Sequence, residues 1–325
     1  MAYNVEQISE KVKGALSNCQ EVIAALLMGS CARGEETYFI NKNGDRELLS
    51  DYEMLIIVQD NCSVEESNRK LRTLANELKS QSLSPCFELE WSYKTIGELR
   101  KLDKRFIFFE AKESACVICG KKEAIKMFPN ITIENLNYCE LNTVLIHRLY
   151  HVIRDYMIVD EHYQKYLIAR NTLDLPTAIL PLIGILQSTY ECRNRTFRKY
   201  ASEYDFSENL VDRLDDYLCM KKNYDADEYS LYTVDDMRNH FVEDMKVFYR
   251  FQKKMQNGHA FKKNNRLFLS GVYRRNIKLI RMSIQWENMN EELYKKMIYM
   301  LENGNVTKAG LKSLQDEMFD IYSYR

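Results

Sequence analysis

The sequence predicts an α/β module followed by a mostly helical one, and three observations carry that prediction. Two short apolar runs, Val22 to Met28 and Met54 to Val58, flank a long polar loop, as neighbouring strands of a sheet do. Residues Cys86 to Tyr93 alternate in character with period two, the pattern of a half-buried strand. Beyond about residue 130 long periodic stretches rich in Tyr, Leu, Arg and Lys replace these short runs. The break at Phe128-Pro129-Asn130 divides the chain into predicted domains 1–130 and 131–325.

Each element has a local reason. Residues 5–20 predict a helix with Val5, Ile8, Val12 and Leu16 on one stripe, followed by a strand over Val22–Met28. Glu53–Val58 is the second strand. Ser63-Val64-Glu65-Glu66 reads as a capping box opening a helix that runs to about Lys79. Pro85 marks a turn before the alternating third strand. Ile96 to Leu102 predicts a short helix, and Phe106–Glu110 with Ala115–Cys119 a strand pair closed by Gly120. In the second half, helices are expected over Leu141–Ile158, Phe206–Leu218, Val234–Gln256, Leu267–Trp286 and Glu291–Leu301. Pro176 and Pro181 should interrupt or kink the helical run between Thr172 and Pro181.

Composition narrows the classes of function. The chain has 325 residues, 46% of them hydrophobic, with a formal net charge of -1. Global charge therefore points to neither nucleic acid nor membrane. There is no apolar run long enough to span a bilayer, and the first residues lack a signal-peptide core. The nine cysteines are an odd number scattered along the chain, which fits reduced, mostly buried thiols and a cytoplasmic location. Cys116 and Cys119 form a CVIC that lacks the second ligand pair of a zinc site, so an ordinary buried strand is expected there.

The chemistry concentrates between Leu26 and Glu90. The first apolar run ends in Gly29-Ser30, a turn of the kind that cradles phosphate. Asp51 and Glu53, two residues apart at a strand start, project to the same side. Like charges held together need a compensating partner, most often a divalent cation. Glu88 and Glu90 share one face of the third strand, and if that strand adjoins the second, three or four acids converge.

These residues resemble the nucleotidyltransferase superfamily that includes DNA polymerase beta. The shared pattern is an apolar strand, Gly29-Ser30, a spacer, Asp51-x-Glu53 flanked by apolar residues, and a third acid at Glu90 or Glu88. The loop GSCARGE is similar to the GS-x-ARG-x form common in bacterial members. The resemblance covers roughly residues 22–120. It implies a mixed sheet with flanking helices, an appended helical domain, Mg2+ (or Mn2+) held by Asp51, Glu53 and Glu90, and an NTP, ATP by expectation, seated on Gly29, Ser30 and Arg33. The implied reaction moves a nucleoside monophosphate to a hydroxyl and releases pyrophosphate. Two departures stand out. The spacer from Ser30 to Asp51 is long and contains a hairpin-like turn, Asn41-Lys42-Asn43-Gly44-Asp45, that could overhang the site; and Glu53 replaces the commoner Asp.

Other signals leave alternatives open. Arg33 suits a nucleotide phosphate or an ion pair with Glu35 or Glu36. His147, His151 and Asp155 lie at i, i+4 and i+8 of a helix that also bears Arg148 and Arg154, a conceivable metal face or an ordinary helix surface. Arg170 to Pro176 reads as a polar break that shapes an acceptor pocket or merely links helices. From Lys246 to Arg281 there are eleven Lys and Arg and no Asp or Glu, with Phe251, Phe261, Phe268 and Tyr273 interleaved. That span suits nucleic acid, a phosphate-bearing small substrate or a solvated face. The expected acceptor is a small molecule, such as an aminoglycoside-like sugar or a surface-glycan intermediate. A second-messenger synthase, an RNA-tailing enzyme, a non-catalytic nucleotide sensor and a structural adaptor are the alternatives. Oligomeric state is open.

Overall fold

A computed structural model describes residues 3–84, 87–102, 104–136, 139–257, 291–304 and 306–323. The chain divides into two compact units. The first is Met1–Asn137 together with Gln187–Tyr190 and Lys221–Ala226; the second is Tyr138–Leu186, Glu191–Met220 and Asp227–Arg325. The first long segment thus ends at Asn137, and two short later segments join it.

The first unit opens with α1 (Val5–Leu16), whose N-terminus is closed by Asn4 and Gln7 in a reciprocal capping box. There follow β1 (Val22–Leu27), the one-turn α2 (Gly29–Arg33), a hairpin of β2 (Tyr38–Ile40) and β3 (Arg46–Leu48), and β4 (Tyr52–Val58). Next come α3 (Glu65–Gln81), β5 (Leu89–Thr95), α4 (Ile96–Leu99), α5 (Phe106–Ser114) and β6 (Cys116–Gly120). Four strands make a mixed sheet in the order β5-β4-β1-β6. β1 runs antiparallel to both β4 and β6, whereas β5 is parallel to β4. Parallel neighbours need a crossover, and α3 supplies it.

One face of the sheet is sealed by helices. Ile8, Val12 and Leu16 of α1 and Leu71, Leu74 and Leu78 of α3 share a core with Tyr52, Met54, Ile56 and Val58 of β4 and Leu89 of β5. Burying each such aliphatic side chain contributes about 1.5–3 kcal/mol, so even-numbered β4 positions are committed to this core. Strand alternation then sends the odd positions, Glu53 among them, to the opposite face.

Several local expectations are corrected. α3 starts at Glu65 with Val64 at its cap and no side-chain cap bond; Glu66 pairs with Arg69 and Lys70 instead of closing a box with Ser63. Phe106–Glu110 is helical, not a strand. A run of consecutive apolar residues has no period that separates the two states, and here the helical turn brings the Phe106 and Phe109 rings to 5.6 Å and packs Phe108 against Phe128 at 6.3 Å. β6 pairs with β1 as a partly exposed edge strand, not a buried one. Of the described cysteines only Cys19 and Cys31 are buried, so burial is not the general rule for these thiols. The turn Asn41–Asp45 does close a hairpin. Its β3 residue Glu47 is buried and accepts hydrogen bonds from the Leu83 and Ser84 amides at 2.7 and 3.2 Å, which fastens the hairpin to the end of α3.

The second unit is helical. It contains α6 (Cys139–Arg154), α7 (Glu161–Leu173), α8 (Leu175–Ile179), most of α9 (Tyr190–Ala201) and of α10 (Glu208–Lys222), and α11 (Val234–Asn257), with further helices at 291–302 and Lys308–Ser323. Pro176 sits in the first turn of α8, where its missing N–H costs nothing. Arg170 to Pro176 is therefore the end of one helix and the start of another, joined at Asp174, rather than an open polar loop. Phe197, Phe206 and Phe248 form an aromatic cluster with ring centroids 4.9 to 5.4 Å apart. The helix expected over Leu267–Trp286 lies outside the described residues. No described helix is long and apolar enough to cross a membrane.

Candidate functional site

The site is assembled where β1, β4 and β5 meet the turn after β1. The Met28 amide donates to the Glu53 carbonyl at 2.9 Å, which holds the end of β1 against β4. Gly29 then adopts φ +65°, a left-handed conformation that favours glycine. A Cβ placed on Gly29 would stand 2.4 Å from Oε2 of Glu53 and 3.1 Å from its Cδ. Glycine at this position thus lets the second carboxylate of the Asp51-x-Glu53 pair lie against the backbone.

The parallel register decides how the acids meet. Glu53 lies directly beside Glu90, and the Tyr52 amide donates to the Glu88 carbonyl at 2.9 Å. Asp51 and Glu88, each just ahead of its strand, occupy the preceding positions. All four expected carboxylates therefore gather at the entry ends of β4 and β5. Glu90 responds to the crowding. Its carboxyl is pushed up from 4.5 to about 7 by loss of hydration, then by the charges of Asp51 and Glu53, then by a hydrogen bond and the charge of Glu88. Glu90 is exposed by surface area, so the crowding of like charges is the firmer of these causes.

Carboxylate oxygens are the hard donors that Mg2+ prefers, and a set that retains a proton near neutral pH is short of positive charge. In donor chemistry the residues fit a divalent cation. Among the described residues, no three His, Cys, Asp or Glu side chains stand close enough to enclose a metal ion.

Ser30 is half-buried in α2, and the helix ends at Gly34 with φ +66°. Arg33 is nearly buried. Its Nε lies 2.8 Å from Glu35, one Nη lies 3.5 Å from Glu110, and the guanidinium stands 5.4 Å from the centre of the Tyr190 ring. Of the two readings of Arg33, the ion pair with Glu35 is the one this geometry contains. Cys31 beneath the turn is held protonated, its thiol pushed up to about 12 by burial and by nearby acids including Glu36.

One residue escaped sequence reasoning. Lys221 is fully buried within the first unit, where its ammonium donates to the Glu35 carbonyl at 2.8 Å and to Thr37 Oγ1 at 2.7 Å and lies 3.4 Å from Ser50 Oγ. It fastens the segment after Gly34 to the residue that precedes Asp51. At 171 residues from Ser50, in a Lys-Lys pair at a helix end, it carries no local signal.

The remaining expectations fall in the second unit. His147 and His151 stack edgewise at 5.9 Å. His151 is held neutral, its pKa lowered to about 2 by burial and by Arg148, Arg154, His147 and Arg170. Asp155 is buried and paired with Arg154 at 2.7 Å. Arg148 and the fully buried Arg193 both pair with Asp174, at 2.8 and 3.6 Å. In the basic span, Lys246 is paired with Glu302 and Lys253 lies 3.4 Å from Glu291, so acids beyond the span neutralise part of it. Residues 258–281 of the span lie outside the described residues.

No protein-family model matches this chain, and no curated protein matches it.

Proposed function

We propose that the chain is a nucleotidyltransferase with the fold its motifs resemble. The carrying observation is the register that sets Glu53 beside Glu90 at the Gly29 turn. In this reading Asp51, Glu53 and Glu90 would hold Mg2+, which supplies charge neutralisation at the transferred phosphate and the leaving pyrophosphate. Gly29 and Ser30 offer backbone N–H groups and a hydroxyl to phosphate oxygens. The acceptor oxygen attacks the α-phosphorus of the NTP. A new P–O bond forms, the bond from the α-phosphorus to the bridging oxygen breaks, and pyrophosphate departs with the electron pair. The acceptor proton passes to a carboxylate at the Glu88–Glu90 end, acting as general base. Lys221 keeps the entry to Asp51 in place.

The test is transfer from each α-³²P-labelled NTP, with Mg2+ or Mn2+ and a mixed small-molecule and RNA extract, beside Asp51→Ala/Glu53→Ala. Label that enters a new product and disappears with the double variant is the expected result. Nucleotide binding without transfer, in the presence of a competent extract, would replace the reading by a second one, a non-catalytic nucleotide-binding module.

A further inference from the structure

An open cleft of ≈ 350 Å³ runs along the edge of the sheet between α3 and β5. Arg72, Asn76 and Lys79 line it from α3, and Trp91, Glu88 and Glu90 from β5 and its approach. Spacings of four and three residues put the α3 trio on one stripe. The remaining cations of α3 are paired: Arg69 and Lys70 meet Glu66 at 2.8 and 3.3 Å. Arg72 and Lys79 form no ion pair among the described residues, although two carboxylates line the same cleft. Strand alternation turns Glu88 and Glu90 to the sheet face opposite Leu89 and Trp91, so the cleft along this edge strand runs from the α3 cations to the acids and leaves room for a molecule that engages both. The cations recognise an anion, and the carboxylates at the other end of the cleft accept a hydrogen bond from a hydroxyl. Trp91, fixed by its indole N–H to Asn68 at 3.0 Å, adds a rigid apolar surface on the α3 side.

We propose that this cleft is the acceptor site, and that the acceptor is a small hydroxylated molecule bearing a phosphate or carboxylate, its anion on Arg72 and Lys79 and its reacting hydroxyl at Glu90. This rests on the nucleotidyltransferase reading and narrows it, because a polycationic sugar would meet repulsion from Arg72 and Lys79. The binding readout needs no turnover, so the two ideas fail separately.

The experiment uses full-length protein carrying 5-fluorotryptophan, whose two ¹⁹F resonances, Trp91 and Trp286, are assigned with Trp286→Phe. Glucose 6-phosphate, glucuronate and glucose are titrated in turn. A saturable shift of the Trp91 resonance with either anion, and not with glucose, is expected, and the stronger of the two names the anion. Arg72→Ala/Lys79→Ala, at exposed helix positions where Ala preserves the fold, should weaken that binding about tenfold or more, as loss of charge-assisted contacts does. Equal shifts with glucose, no shift with either anion, or unchanged affinity in the double variant would overturn the site. Label transfer in the absence of anion binding here would leave the reaction standing and remove only the cleft.

Discussion

Gly29→Ala tests the seat of Glu53 directly. At φ +65° an L-residue costs about 1–2 kcal/mol relative to glycine, whatever surrounds it. The new methyl would also meet Oε2 of Glu53 at 2.4 Å, far inside contact distance. Because that oxygen ends a flexible side chain, the carboxylate swings away and the backbone stays. The cost of the swing is the coupling between two touching residues, roughly 0.5–3 kcal/mol. Gly29→Ala should therefore lose about 1.5–5 kcal/mol in the parent, but only the conformational part, about 1–2 kcal/mol, in a Glu53→Ala background. Urea unfolding followed by circular dichroism reads all four corners of the cycle, with the slope checked for constancy. If Gly29→Ala costs the same in both backgrounds, to within about 0.5 kcal/mol, Glu53 does not rest against the turn and the reasoning fails.

Two further outcomes follow from the electrostatics. Glu90 titrates at about 7 in the folded protein against an ordinary 4.5, so between these values the folded state holds a proton that the unfolded state has released. Stability contributed by this group thus falls as pH rises through that window, and Glu90→Gln should melt above the parent at about pH 8.5 and with it at about pH 4. Melting curves equally separated at both pH values would show that carboxylate crowding is not at work. In the helical unit, Asp174→Ala removes an acid shared by Arg148 and the buried Arg193 and should cost about 3–5 kcal/mol in urea unfolding, where loss under 1 kcal/mol would mean the interaction is screened by solvent.

How much of this was legible beforehand differs by level. The Gly29-Ser30 turn, the Asp51-x-Glu53 pair and the alternation around Glu88 and Glu90 are local patterns, and strand periodicity alone places each pair on one face. The stripes of α1 and α3 and the helical second half were readable for the same reason: burial of one face imposes a period. Phe106–Glu110 was not, since a continuous apolar run has no period and only its neighbours choose its state. The box at Ser63 does not close because Glu66 pairs with Arg69 and Lys70 one turn on, and the Ser63 hydroxyl accepts only from the Glu65 amide at 3.3 Å.

What the sequence by itself determined is therefore the set of chemical groups and the face on which each lies. Which groups meet was decided by the tertiary structure. The parallel pairing of β4 with β5 put Glu53 beside Glu90 and made four acids one site. The left-handed turn at Gly29 brought Glu53 onto the backbone, and a buried Lys221 from far along the chain closed the segment before Asp51. Register and long-range burial depend on the sum of many weak contacts over the whole core, and no local window of residues contains that sum.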